Sequence, residues 1–380
     1  MLLLRNADLY APEHLGIQDV LVAGGKVVWL GRSAPRLPAE LHVQEIDLAG
    51  RRLLPGLVDC HAHLTGGGGE AGYHTRMPPV PFARFVRGGT TTVIGLLGTD
   101  DCTRTTSSLI ATAKGLTNEG MTALCFTGGY HVPPVTLTGS LRSDIVHVEE
   151  IVGIGEIAIS DHRSSQPTFD ELVRIASEAH VAGLMTGKAG ILHLHLGDGA
   201  RGLQLVARAL AETEIPARVF HPTHVNRKKA LFSEACDLVS RYPGFAIDVT
   251  AFPVAKGDDA WSAPDALLAF LATGLPKDAI TVSSDGGGCL PKFDAHGQVM
   301  GFGIGDPADL HAALRELIVR GVSLAEVLPA FTSNVAKLYR LHRKGRVAVG
   351  CDADLVVLDA EHAVAEVVAR GTLVDRALLA

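Results

Sequence analysis

The chain has 380 residues, of which 47% are hydrophobic, 20% charged and 5% aromatic, and its formal net charge is −7. That length accommodates a barrel of roughly 250 residues with about 130 left for insertions or a companion domain. The acidic balance without a long basic run speaks against nucleic acid as a partner, and no apolar stretch reaches the roughly 18 uninterrupted residues of a membrane span.

The N-terminus begins apolar, but Arg5 and Asp8 fall where a signal peptide needs its apolar centre. The six cysteines are scattered singly, which fits reduced thiols and a cytoplasmic location. Residues 1–54 then read as short strands: LLLRNADLY, DVLVAGGKVVWLG and LHVQEIDLAGRRLLP alternate apolar and polar positions between Gly, Pro and Asp breakers. The middle alternates apolar runs with helix-length amphipathic segments, the pattern of βα units. Its strand candidates are Leu57–His63, Thr91–Leu97, Thr122–Gly128, Val152–Ile159, Gly190–Gly197, Arg218–Val225, Gly244–Ala251 and Ile280–Asp285. Gly66–Gly69 forms a glycine loop without the Lys and Ser/Thr of a phosphate-binding loop. From about Gly345, GRVAVGCDADLVVLD and AVAEVVARGTLV return to strand character. The expected fold is α/β: a (β/α)8 TIM barrel over residues 55–340, with a small β-sandwich domain assembled from 1–54 and 341–380.

Chemistry concentrates at the strand ends. His61 and His63 are two apart on the first barrel strand, so both imidazoles face one side and can meet one metal. Alone, such a pair serves packing equally well. The other strand ends decide the matter: His195 closes the fifth candidate, His224 the sixth and Asp285 the eighth. Four histidines and an aspartate at one end of a barrel suit Zn²⁺ or a similar divalent ion. His193 lies one layer deeper and reads as a packed histidine, as does His221, whose parity is opposite. His131 and His162 sit on loops at the edge.

The segments PGLVDCHAHLTGGGGEAG, TTVIGLLGTD, TGGYHVP, AISDHR, HLGD, PTHVNR, SSDG and GCDADLVVLD, in this order, resemble the amidohydrolase superfamily and within it the isoaspartyl (β-aspartyl) dipeptidases. The resemblance implies two divalent metals per subunit, zinc being the expected ion. One is held by His61, His63 and Asp285, the other by His195 and His224. Where the family carries a bridging carboxylated lysine, this chain has Glu156, whose stem is three atoms shorter. Lys188 matches a family segment of its own and is no obvious substitute. The resemblance further places Glu70 and Thr99 at the substrate amine, Arg163 and Arg227 at its carboxylates, and Tyr130 at the scissile carbonyl. Cys289 stands where the family has a serine near the α-carboxylate, and a thiol is the poorer donor there.

The implied activity is hydrolysis of the amide bond of β-aspartyl dipeptides by a metal-activated hydroxide, with Asp285 as general base and then acid. The physical fit is independent of the family: two guanidinium forks suit two carboxylates, and one carboxylate suits an ammonium. A cyclic amidase of the dihydroorotase or hydantoinase kind is the rival enzyme, and a non-catalytic assembly protein on the same fold is the rival class. The resemblance implies a homo-oligomer, an octamer being one such assembly, with a small dipeptide as the partner and neither nucleic acid nor membrane.

Overall fold

A computed structural model describes the whole chain except residues 256, 294–298 and 380 and the side chains of 290–293 and 299–302. The N-terminal strands are β1 (Leu2–Tyr10), β2 (His14–Ala23), β3 (Lys26–Gly31), β4 (Gln44–Asp47) and β5 (Arg52–Pro55). Each of the eight middle candidates then appears as a strand: β6 (Leu57–Ala62), β7 (Thr90–Gly95), β8 (Thr122–Thr127), β9 (Ile151–Ile159), β10 (Ile191–Leu196), β11 (Phe220–Thr223), β12 (Ile247–Thr250) and β13 (Ile280–Ser283). A hairpin, β14 (Cys289–Phe293) and β15 (Val299–Ile304), follows. β16 (Leu355–Leu358), β17 (Val364–Ala369) and β18 (Thr372–Leu373) complete the chain.

β6 to β11 form one parallel sheet in chain order, and β12 and β13 a parallel pair. β12 packs beside β11 and β13 beside β6, where a bridge joins Ala62 to Gly286. Parallel strands need long crossovers, and helices supply them. The helix Phe169–Thr186 between β9 and β10 shows how sharply its ends are set. Thr168 and Glu171 cap its start reciprocally, and Gly187 ends it at φ 74°. Its buried face, Leu172, Ile175, Ala176, Ala179 and Ala182, packs into the main apolar core. On the opposite face of the sheet, Val58, Cys60, Ile94, Phe126, Val152 and Ile191 pack with Val335 and Tyr339 in a separate cluster. This apolar floor lies under the histidines.

The chain ends meet in one hydrogen-bonded sheet ordered β18-β17-β16-β5-β1-β2-β3, with β4 also on β1. β4 and β5 share one edge of β1, pairing with Leu2–Arg5 and with Asp8 and Leu9 in turn. The sheet has a core of its own, including Leu4, Leu9, Val20, Leu53, Val357 and Val368. One detail differs from the sequence expectation: the GRVAVGC segment is not a strand. Gly345 (φ 70°) and Gly350 (φ 91°) turn it, and two backbone bonds, Gly350 N–H to the Val27 carbonyl and Val27 N–H to the Cys351 carbonyl, tie it to β3.

Candidate metal centre and substrate pocket

Glu156 is the hub of the strand-end cluster. Its Oε1 stands 3.5 Å from His63 Nε2, while Oε2 stands 3.6 Å from His61 Nε2, 3.1 Å from His195 Nδ1 and 3.8 Å from His224 Nε2. Asp285 Oδ1 lies 3.4 Å from His61 Nε2 and 3.2 Å from His63 Nε2. The six residues expected around the metals are therefore gathered in one place. Glu156 reaches it through a bulge: Leu192 pairs with Ile154 and Leu194 with Ile157, so Gly155 and Glu156 together oppose His193. Such a bulge re-aims a side chain, and without it Glu156 would share the face of Ile154. Gly155 has no room for a side chain, because a Cβ there would sit 2.8 Å from His193 Cβ. His224 (φ 60°) and Asp285 (φ 53°) turn off their strands in the left-handed region, uncommon outside glycine though more accessible to His and Asp than to most residues, and such conformations concentrate at functional sites.

The electrostatics of this cluster are those of an anionic nest for cations. Burial works against a charge on His61, but Glu156 and then Asp285 outweigh it and raise the imidazole to about 9. Burial would lift Glu156, yet His61 and His195 hold it well below the usual carboxylate range. Asp285 is half-buried; desolvation would lift it, yet the imidazoles of His61 and His63, 3.4 and 3.2 Å from Oδ1, hold it well below its ordinary value. His224 is pushed down to about 3, chiefly by burial. Burial, with the Glu156 charge adding to it, keeps the Tyr130 phenol protonated far above its ordinary range.

The donors fit a divalent ion. His61 Nε2, Glu156 Oε1 and Asp285 Oδ1 are buried polar atoms without a hydrogen-bond partner, an expensive arrangement unless something binds them. Two sets of ligand atoms lie within 4.8 Å of one another: His61, His63 and Asp285, and His61, Glu156 and His224. The first is the expected trio. The second differs from expectation in sharing His61 and omitting His195, whose ring is drawn toward Asp161, 3.0 Å from Nε2, and Tyr130, 2.8 Å from Nδ1. The remaining nitrogens are oriented from behind: His61 Nδ1 meets His193 Nε2 at 2.8 Å, and His224 Nδ1 meets Thr250 Oγ1 at 2.7 Å. His193 continues to His221 at 3.2 Å, and His221 to Tyr339 at 2.9 Å and Thr281 at 3.2 Å. Both inner histidines thus pack beneath the site; His193 does so as expected, whereas His221 shares its inward face in spite of the opposite parity expected of it. Lys188 is elsewhere, donating to the carbonyls of Ile145 and Val148.

On the substrate side, Arg163 and Glu70 meet each other, Nη1 to Oε1 at 3.2 Å, instead of standing apart for two substrate groups. Tyr130 is buried with its hydroxyl on His195, and Thr99 is half-buried in the loop after β7. Arg227 follows His224 by three residues and is held only loosely, 4.0 Å from Asp198. Cys289 is half-buried beside the glycine loop, its thiol pushed up to about 12 chiefly by burial. His131 pairs with Asp101 at 2.5 Å, and His162 is exposed. Sequence reasoning missed two residues. Asp161 grips both Arg163 and His195, although it stands within the quoted AISDHR segment. Arg104 donates to the carbonyls of Thr65, Gly67, Gly68 and Met77, bracing the loop that carries Glu70, and nothing local in the sequence marks it.

Comparison with known proteins agrees with this geometry. Residues 308–375 match the Amidohydrolase family. The β-aspartyl dipeptidase of the thermophilic keratin-degrading Fervidobacterium islandicum AW-1, solved in complex with β-Asp-Leu dipeptide, superposes with a TM-score of 0.90 and 40% identity, covering 98% of this chain and 96% of that one. N-isopropylammelide isopropylaminohydrolase from Burkholderia multivorans shares the fold at a TM-score of 0.65 and 18% identity, with 98% and 97% covered. Imidazolonepropionase from Pseudomonas paraeruginosa is 36% identical over 133 residues, so the match spans only 33% of this chain and 32% of that relative. Likeness at 40% identity along nearly the whole length, joined to the strand-end cluster, makes this chain a hydrolase of the amidohydrolase superfamily.

Proposed function

We propose that the chain hydrolyses the amide bond of dipeptides with an N-terminal β-linked aspartate, using two divalent ions, with zinc the expected metal. In this reading the eight parallel strands close as a (β/α)8 barrel over 55–340, and 1–54 with 341–380 form the small β domain. The observation that carries it is Glu156, whose carboxylate lies within 3.8 Å of all four histidines and would be within reach of ions at both ligand sets. The Fervidobacterium relative supports the substrate class. No helix among the described residues is long and apolar enough to cross a membrane; the cytoplasm and a homo-oligomer remain part of the proposal.

Two divalent ions held there would lower the pKa of a water and polarise the scissile carbonyl. The chain's own groups do the rest. Asp285 accepts the water proton and returns it to the leaving amine. The Tyr130 hydroxyl, kept as a phenol by its burial, donates to the carbonyl oxygen as negative charge develops there. Glu70 and Thr99 receive the ammonium, and Arg163, Arg227 and Cys289 the carboxylates. The dipeptide then replaces the Glu70–Arg163 contact with one partner for each.

The deciding experiment is hydrolysis of β-Asp-Leu against α-Asp-Leu and dihydroorotate: only the first should turn over well, and equal rates on the α-linked peptide would refute the assignment. Metal analysis of the active chain should find two divalent ions, because the two ligand sets exceed the needs of one tetrahedral site. A single ion with no gain on adding more would count against the binuclear centre. Arg227→Met should lower kcat/KM on β-Asp-Leu roughly tenfold or more, equivalent to about 1.4 kcal/mol of transition-state stabilisation. Its weak hold on Asp198 leaves the guanidinium free for substrate, and unchanged kinetics would remove it from the pocket.

A further inference from the structure

We infer that Asp161 is a positioning residue joining the metal-side His195 to the substrate-side Arg163, so that ion retention and substrate affinity depend on one carboxylate. The inference rests on the function proposed above, in which His195 serves the divalent centre and Arg163 the substrate. Asp161 Oδ2 is 3.0 Å from His195 Nε2 and accepts from Arg163 Nη2 at 2.8 Å. Oδ1 accepts from Arg163 Nε at 3.0 Å and from its backbone N–H at 2.8 Å. Arg163 Nη2 and His195 Nε2, 3.3 Å apart, converge on the same oxygen. The carboxylate is only 3% exposed, so this two-point grip is not the loose surface pair that solvent would screen.

The surroundings are built to hold it there. A Cβ at Gly197 would come 2.4 Å from both Asp161 Cβ and Oδ2, so only glycine leaves the space. Gln166 Nε2 donates to the Asp161 carbonyl at 2.8 Å and fixes its backbone. His195 stands between two carboxylates, Asp161 at Nε2 and Glu156 at Nδ1, and since a carboxylate can only accept, an ion held at Nδ1 would leave Nε2 to donate its proton to Asp161. Nδ1, 3.1 Å from Glu156 Oε2, is the nitrogen on the side of the ligand cluster. His61 and His224 lean instead on uncharged partners, His193 and Thr250. Among these ligand candidates, His195 alone has a charged residue behind it, and that residue also aims Arg163.

The test is Asp161→Asn in the full-length chain, with Zn²⁺ affinity measured by chelator competition on metal-free protein and kinetics measured on β-Asp-Leu. Affinity for one of the two ions should fall roughly 10- to 100-fold, the usual effect of losing an outer partner of a metal ligand, and KM should rise alongside it. Arg163→Met should raise KM and leave both ion affinities within about twofold. Asp161→Asn with both affinities unchanged overturns the inference, as does Arg163→Met losing an ion to the same extent. Wild-type protein that binds fewer than two ions or leaves β-Asp-Leu intact overturns the functional assignment and this inference with it. Wild type that does both, beside an unaltered Asp161→Asn, sinks the role of Asp161 alone. If Asp161→Asn does not fold, ring-nitrogen NMR of zinc-loaded wild type decides, with His195 assigned by the signal lost in His195→Asn. A proton on Nε2 is expected, and a proton on Nδ1 overturns the inference.

Discussion

Glu156→Ala should lose one of the two divalent ions and at least a thousandfold in turnover, about 4 kcal/mol in the barrier. The effect follows from its place: a single carboxylate touches all four histidines of the cluster, and no other acidic side chain among the described residues does so. Removing it also leaves His61 without the anion that most strongly sustains its charge, so the metal-free variant should be less stable as well. Glutamate needs no CO₂ to become a ligand, whereas a lysine there must first be carbamoylated. Ion loading and activity of the wild type should therefore be indifferent to bicarbonate, and Glu156→Lys should regain some activity only when bicarbonate is supplied. The glutamate stem is three atoms shorter than the carbamate it replaces, and the bulge at Gly155–Glu156 turns that short stem inward. Full turnover in Glu156→Ala, or a bicarbonate requirement in the wild type, would show that the bridge is formed otherwise.

How much of this was legible beforehand depends on whether a local pattern or a long-range approach carried the signal. The strand ends were legible because His61 and His63 share parity, and because His195, His224 and Asp285 each close an apolar run. Glu156 is legible only through the family resemblance; simple alternation from Ile154 turns it the wrong way, since a bulge shifts the register by one. Asp161 stood in plain view, but a carboxylate two residues before an arginine has many uses. Only folding brings β10 close enough for His195 to reach it. Arg104 was silent for the same reason, because its acceptors are backbone carbonyls 27 to 39 residues away. The terminal strands were readable as strands, whereas the shared edge of β1 with β4 and β5 has no local signature. Cys289 opens the described hairpin, and residues 294–298 fall outside the described residues.

Asp285→Asn should reduce kcat by about 10²- to 10⁴-fold, the range spanned by loss of a positioned general base. Two roles meet in this residue, and the variant separates them. As a ligand, Asp285 offers Oδ1, which lies within 3.4 Å of both His61 and His63 and lacks any hydrogen-bond partner. An amide oxygen retains part of that capacity. As a base, it needs a carboxylate that is ionised before the water proton arrives, and the two imidazoles hold it well below its ordinary range despite its partial burial. The amide has none of that capacity. The left-handed backbone at φ 53° aims the side chain and tolerates asparagine better than most residues, so the fold should survive the change. Asp285→Asn should therefore keep most of its bound metal and its KM on β-Asp-Leu while losing the proton transfer, which confines the damage to kcat. A variant that loses metal and turnover in proportion would make Asp285 a ligand and no more. One that turns over at the wild-type rate would place the base elsewhere in the pocket.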